Sequence, residues 1–216
     1  MNELCEIVFI LDRSGSMHGL ESDTIGGFNS MIESQRKEGV KGFVTTALFD
    51  SEIEIPFDKI DLQEIPELTD KIYFTRGTTA LFDAVGSLIQ RVQNHRRFLP
   101  SEQIPGKTIF VITTDGMENA SREFNGPAVK RMIQERKEAG WEFLYLGANV
   151  DAVSEAARIG IDADRSVRYH ADSIGVRKNF ETVGKAVRHI ACEAAPLSAD
   201  WADDIREDFK SRKSSR

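Results

Sequence analysis

The sequence predicts an α/β fold, a mostly parallel sheet covered on both faces by helices, with one antiparallel hairpin at its edge. Three observations predict it. Short apolar runs rich in branched and aromatic residues recur along the 216 residues. Segments with the period of a helix separate them. One pair of runs lies too close together for anything but a hairpin.

In chain order, "IVFIL" (7–11) comes first, a continuous apolar run of the kind that a strand buried on both faces requires. "TIGGFNSMIESQRKEG" follows, with Ile25, Phe28 and Ile32 on one helical face and Gly39 as the stop. "GFVTTALF" (42–49) and "EIEIPF" (52–57) are separated by Asp50 and Ser51, the length of a tight hairpin loop. Pro56 cannot donate to a ladder, so the second of these strands belongs at the sheet edge. "ALFDAVGSLIQRVQNH" places Leu81, Val85, Leu88, Ile89 and Val92 on one face of a helix. "IFVIT" (109–113) is a second buried strand, and "PAVKRMIQERKEAG" runs from Pro127 in its first turn to Gly140 at its end. "FLYLG" (143–147) is a third strand. "NFETVGKAVRHIACEA" supplies Phe180, Val183, Val187, Ile190 and Ala191 for a final amphipathic helix. One domain over 1–195 accounts for all of this, and 196–216 reads as a tail with a short helix around Trp201 to Phe209 before fraying.

Composition narrows the function. Hydrophobic residues make up 40% and charged residues 29%, which is globular. No apolar run approaches the roughly 20 residues that span a bilayer, so a membrane role is not expected. The net charge of −7 argues against nucleic acid as the main partner. Arg91, Arg96 and Arg97, and the tail "KSRKSSR", read as solvated surface. Acidic residues stand where a signal peptide would be basic, which makes a cytoplasmic chain the expectation. Cys5 and Cys192 form no metal-binding or disulfide pattern and read as buried free thiols.

Polar residues gather at three strand or helix ends. Asp12, Ser14 and Ser16 follow the first strand, Thr78 and Thr79 open the most amphipathic helix, and Asp115 lies just past the strand at 109–113. In an open parallel sheet, ligands bind beyond the carboxyl ends of the strands. Two carboxylates and at least three hydroxyls are an all-oxygen set, which suits a hard cation such as Mg²⁺ with its six ligands. Each piece alone has a plainer reading as a loop, a turn or a helix cap. Together and in this order they fit one loop curled around an ion.

Asp-x-Ser-x-Ser after the first strand, a threonine in a later loop and "TDG" after another strand resemble the metal-ion-dependent adhesion site (MIDAS) of von Willebrand factor type A domains. The resemblance covers about residues 4 to 192 and implies a Rossmann-like three-layer sandwich. It also implies a site holding Mg²⁺, with Mn²⁺ or Ca²⁺ as substitutes, whose coordination an Asp or Glu of a partner protein completes. Asp12, Ser14, Ser16 and Asp115 match the motif directly. The family's "GGTxL" falls on Gly77-Thr78-Thr79-Ala80-Leu81, which selects Thr79 as the ligand, with Thr78 as the fallback. Arg13 sits at a variable position, either steering an acidic partner or turned to solvent. Similar stand-alone domains occur inside bacteria beside chaperone-like ATPases and stress-response proteins, and the resemblance implies partners of that kind.

The remaining polar residues have quieter readings. His18, His95, His170 and His189 show no ligand spacing, Asp83 caps or stabilises the first turn of its own helix, Glu118 and Asn119 border the site, and Trp141 packs on the sheet. The leading function is a non-catalytic, metal-dependent protein-binding module. The rivals are a metal-dependent phosphohydrolase and a scaffolding subunit with a structural metal. The first rival needs a nucleophile or base beside the metal. The chain has no Asp-x-Asp pair after its first strand, no Walker loop and no G-x-S-x-G elbow.

Overall fold

The computed structural model describes residues 3–148, 151–193 and 195–213. Six strands form one sheet: β1 (Cys5–Asp12), β2 (Gly42–Phe49), β3 (Ile53–Asp61), β4 (Lys107–Thr114), β5 (Trp141–Gly147) and β6 (Ser166–Arg168). Their spatial order is β3-β2-β1-β4-β5-β6, with β2 and β3 antiparallel and every other pair parallel. Helices α1 (Glu21–Lys37), α2 (Leu81–Arg96), α3 (Gly126–Glu138), α4 (Ala152–Arg158), α5 (Ser173–Cys192) and α6 (Asp203–Lys213) pack on its two faces.

Strand alternation builds two cores. Ile7, Phe9 and Leu11 face one side, where Phe28 and Met31 of α1 and Val183 and Val187 of α5 meet them. Val8 and Ile10 face the other, against Val85 and Leu88 of α2 and Val129 of α3. Phe9 and Phe28 meet edge to face at 5.3 Å, and Phe28 meets Phe180 the same way at 6.5 Å, so one aromatic chain ties sheet, α1 and α5. Truncating the buried Phe9 to alanine would cost about 3–5 kcal/mol. On the second face Trp141 stacks on Phe110 with 5.5 Å between centroids, a packing role as its sequence context predicts.

The elements read from the sequence are present, with instructive differences at their ends. Gly39 and Gly140 follow α1 and α3 in the left-handed region (φ +74° and +83°), as expected of helix stops. The hairpin closes over three residues, because Phe49 pairs with Ile53 and the Asp50 carboxylate accepts the Glu52 N–H at 2.9 Å. Pro56 lies on edge strand β3, as predicted. β6 and α4 are too short to announce themselves. α5 starts earlier than its apolar period suggests, capped by the Asp172 carboxylate accepting the Gly175 N–H at 2.9 Å.

The stretch after 195 is packed where a tail was expected. Leu197, Ala202 and Ile205 belong to the first core, and α6 is pinned to α5 by Lys185–Asp204 (2.9 Å) and Lys178–Asp208 (3.4 Å). The helix runs on to Lys213, past the Phe209 at which fraying was expected, and 214–216 lie outside the described residues. Three of the arginines read as solvated surface are likewise engaged, among them Arg212 of the tail, which pairs with Asp172 and Asp208. Arg91 grips Asp58 of the edge strand, and Arg96 reaches the buried Glu6 of β1 at 2.7 Å, because carboxylates on the sheet draw them in. Arg97 is exposed. Cys5 is buried, its thiol pushed up to about 12 by that burial, whereas Cys192 is exposed rather than buried. Among the described residues no helix is long and apolar enough to cross a membrane.

Candidate metal centre

The sheet order reverses at β1: the chain steps outward to β2 and β3 on one side and to β4, β5 and β6 on the other. α1, after β1, covers one face, and α3, after β4, covers the other. Helices departing to opposite faces leave a crevice at the carboxyl ends of these two strands. Asp12 is the last residue of β1, and Asp115 follows the last residue of β4. The topology alone therefore brings the two carboxylates together.

Hydrogen bonds set the rest. Ser14 N–H donates to Asp12 Oδ1 at 2.7 Å, a tight turn that folds the loop back over the strand end. Ser14 Oγ lies 3.1 Å from Ser16 Oγ, and Ser16 Oγ donates to Asp115 Oδ1 at 2.5 Å. Thr79 is buried, and a Cβ placed on Gly116 would stand 2.6 Å from its Oγ1 and 3.5 Å from Ser16 Oγ. The lack of a side chain at Gly116 is what lets the Thr79 hydroxyl approach the Asp115 loop. Thr78 is exposed at the rim, so Thr79 is the better placed of the two. Four of the five residues predicted from the sequence, Ser14, Ser16, Thr79 and Asp115, line one cleft of about 410 Å³, with Met117 exposed on its wall; Asp12 joins them through the Ser14 N–H that it accepts.

Three contributors escaped the sequence reading. Thr114 Oγ1 donates to Asp12 Oδ2 at 2.5 Å, and the buried Tyr73 hydroxyl donates to the Asp12 carbonyl at 2.6 Å. Thr114 was legible in "TTDG" as the neighbour of Asp115. Tyr73 was not, because it arrives on the long connection from β3 to α2. That connection is ordered by Asn29, whose side chain exchanges two hydrogen bonds with the Leu68 backbone at 2.9 and 2.8 Å. The third is Asp50, on the hairpin turn.

Several residues do something other than expected. Arg13 neither steers nor faces solvent: it is fully buried, with Nε 2.7 Å from Asp50 and a second contact to Glu54 at 2.8 Å. Extended backbone alternates its side chains, so a residue between Asp12 and Ser14 points away from their cleft. Asp83 does not cap its own helix. Its carboxylate accepts the N–H groups of Arg122, Glu123 and Phe124 at 2.7, 2.9 and 2.7 Å. The cap comes from the loop after β4, where Glu118 accepts the Phe82 N–H at 2.9 Å and Ser121 Oγ the Asp83 N–H at 3.0 Å. Asn119 Oδ1 accepts the Thr79 N–H at 2.9 Å. The Asp115 loop and the threonine loop are thus stapled into one unit.

Burial pushes the Asp12 carboxyl above the usual carboxylate range, against the lowering effect of the Thr114 and Ser14 hydrogen bonds. Burial also raises Asp115, and the Asp12 charge beside it adds to the effect. Two ionised carboxylates close together in a buried crevice repel each other, and a cation between them relieves both costs. The donors are all oxygen, two of them anionic, as a hard divalent ion requires. Among the described residues no cluster of three or more His, Cys, Asp or Glu offers a rival metal site.

No family model and no curated protein sequence matches the chain. Solved structures do. The vWF domain of the type V pili tip protein Mfa5 from Porphyromonas gingivalis superposes with a TM-score of 0.62 at 10% identity, over 92% of this chain and 99% of that one. The von Willebrand factor type A protein from Catenulispora acidiphila gives 0.57 at 15% identity, over 86% and 43%. Proximal thread matrix protein 1 from the mussel byssus, with a zinc-occupied MIDAS motif, gives 0.54 at 15% identity, over 84% and 45%. The chain thus spans less than half the length of the last two. At these identities the likeness is one of fold, and it agrees with the strand order, the two helix layers and the crevice between β1 and β4: the chain has the fold of a von Willebrand factor type A domain.

Proposed function

We propose that the chain is a metal-dependent protein-binding module without catalytic activity. The observation that carries this reading is the meeting of Ser14, Ser16, Thr79 and Asp115 around one open cleft at the reversal of strand order, with Asp12 tied to it through the Ser14 N–H. Asp12 and Asp115 would supply the charge that holds Mg²⁺, and the hydroxyls neutral oxygens, directly or through water. Five protein groups leave a coordination position for a sixth oxygen. A bound ion supplies a Lewis-acidic point at which a partner's Asp or Glu carboxylate completes the coordination. The zinc-occupied MIDAS motif of the mussel protein supports a divalent ion at such a site, and Mg²⁺ is the proposal for this chain.

A non-catalytic role is favoured by what surrounds the serines. Their hydroxyls engage each other and Asp115, while the ring of His18, two residues after Ser16, turns to Glu21 at 3.2 Å instead of activating either one. On the resemblance alone, the proposal extends to a cytoplasmic setting and to a chaperone-like ATPase or stress-response protein as the partner.

Calorimetric titration of Mg²⁺ and Mn²⁺ into chelator-stripped protein tests the reading. One ion per chain is expected, lost in both Asp12→Ala and Asp115→Ala. Absence of binding at millimolar metal, or binding that survives both substitutions, would overturn it. Capture of partners only in the presence of metal would separate a binding module from a scaffold with a structural ion.

A further inference from the structure

Asp50 lies outside the candidate ligand set, on the hairpin turn, and it is nearly inaccessible. One of its oxygens, Oδ2, accepts from two arginines: Arg13 Nε at 2.7 Å and Arg76 Nε at 2.9 Å. Its backbone carbonyl accepts the Ala80 N–H at 2.8 Å. These contacts lead to two parts of the metal centre. Arg13 stands between Asp12 and Ser14. Arg76 opens the Arg76–Ala80 loop that carries Thr79, and Ala80 closes it.

The two loops are also joined directly. Arg76 N–H donates to the Arg13 carbonyl at 2.8 Å, and Gly15 N–H donates to the Gly77 carbonyl at 3.2 Å. Glu54 of the edge strand closes the cluster, 2.8 Å from Arg13 and 2.6 Å from Arg76. Both guanidinium groups lie over the ring of Phe74, at 5.5 and 5.4 Å. A fully buried arginine is costly unless its charge is matched and its donors are used. Here the match fixes where one loop sits against another.

We propose that Asp50 is a positioning residue for the metal centre. Through Arg13 and Arg76 it holds the Asp12–Ser16 loop and the Thr79 loop at the separation a single ion needs. The proposal rests on the metal-binding reading above and adds a residue that touches no ion. Its mechanism is geometric. With the clamp released, the carboxylates remain, but Thr79 drifts from the ion and a water takes its place.

The test uses the full chain and Mn²⁺ as the probe, reading affinity by electron paramagnetic resonance and coordinated water by proton relaxation of the bound ion. Arg76 is partly exposed, so Arg76→Gln can lose the clamp while the fold persists; Asp50→Asn is the stronger variant. Both are expected to bind Mn²⁺ about 10- to 100-fold more weakly, the range for outer-shell partners of metal ligands. Relaxivity per bound ion should rise as water enters. Arg76→Lys, which restores a charge to Asp50, should recover part of the loss. A purely structural role would lower the melting temperature and leave affinity and relaxivity per bound ion as they were. If wild type binds Mn²⁺ and Arg76→Gln binds it equally with the same relaxivity, the positioning role is overturned and the metal site stands. If wild type itself fails to bind, the metal reading falls and this proposal with it.

Discussion

Two groups of acidic side chains lie at the same end of the sheet and are treated in opposite ways. Asp50 and Glu54 are matched by Arg13 and Arg76. Asp12, equally buried, takes its side-chain hydrogen bonds from a threonine hydroxyl and a backbone amide. The consequences differ in sign. For Asp50, burial pushes the carboxyl up, but hydrogen bonds from Arg76 and the Glu52 amide together with the Arg13 charge outweigh it and hold the group low. Hydrogen bonds from Arg13 lower Glu54 as well. Asp12 and Asp115 are both raised. The chain has the arginines to neutralise buried carboxylates and spends them beside the crevice, not in it. An ion from outside is the natural complement of the pair inside.

Removing a cation from the first group should produce the largest effect. Arg13→Met leaves Asp50 buried without its nearest charge, and breaking such a pair costs about 3–5 kcal/mol. Denaturant unfolding should show it as a lower midpoint with an unchanged slope. Supplying a cation to the second group comes next. Mg²⁺ at about 100 times its dissociation constant adds about 2.7 kcal/mol, which raises the melting temperature by roughly 5–10 °C in a domain of this size. The rise should vanish in Asp12→Asn and Asp115→Asn. Stripped of metal, those variants should melt at or above wild type, since each removes a charge that burial disfavours. A melting temperature well below wild type in both would erase the contrast between the groups.

Smaller effects sharpen it. Thr79→Ala should weaken Mn²⁺ binding by about 10-fold, near 1.4 kcal/mol, while Thr78→Ala at the rim changes it little; equal losses would place both hydroxyls on the ion. The gentlest test is pH. Asp50 has its carboxyl lowered in the folded state, so its stabilisation is complete above its unfolded value, about 3.9, and is lost as pH falls through the lower folded one. The stability gap between wild type and Asp50→Asn, measured by urea unfolding, should therefore be flat near neutrality and shrink only in acid. A gap that widened on acidification would reverse the assigned sign. Metal binding should weaken on acidification over a higher range, because protons compete for the raised Asp12 and Asp115.

Much of the site was legible before the fold was known, because its donors cluster in short motifs. "DRSGS", "GTT" and "TTDG" each place a ligand type within two residues of a strand or helix end. What the motifs hide is how they are held. Asp83 reads as serving its own helix and Glu118 as bordering the site, yet each reaches across to the other loop, since an unpaired backbone N–H donates to any acceptor that folding brings near. The reading of 196–216 as a tail missed the burial of Ala202 and Ile205, because isolated apolar residues in and just before a charged helix carry little period.

The sequence by itself determined the elements and the ligand chemistry. Period 2 and period 3.6 patterns are local, and an oxygen-donor set advertises its ion whatever the order of the strands. Only the tertiary structure decided that Arg13 is buried, that Asp50 ties two loops together and that Thr79 rather than Thr78 lies over Gly116. Those facts depend on residues 26 to 37 positions apart meeting at one sheet end. Such meetings are fixed by strand order and packing, which no short window of sequence contains.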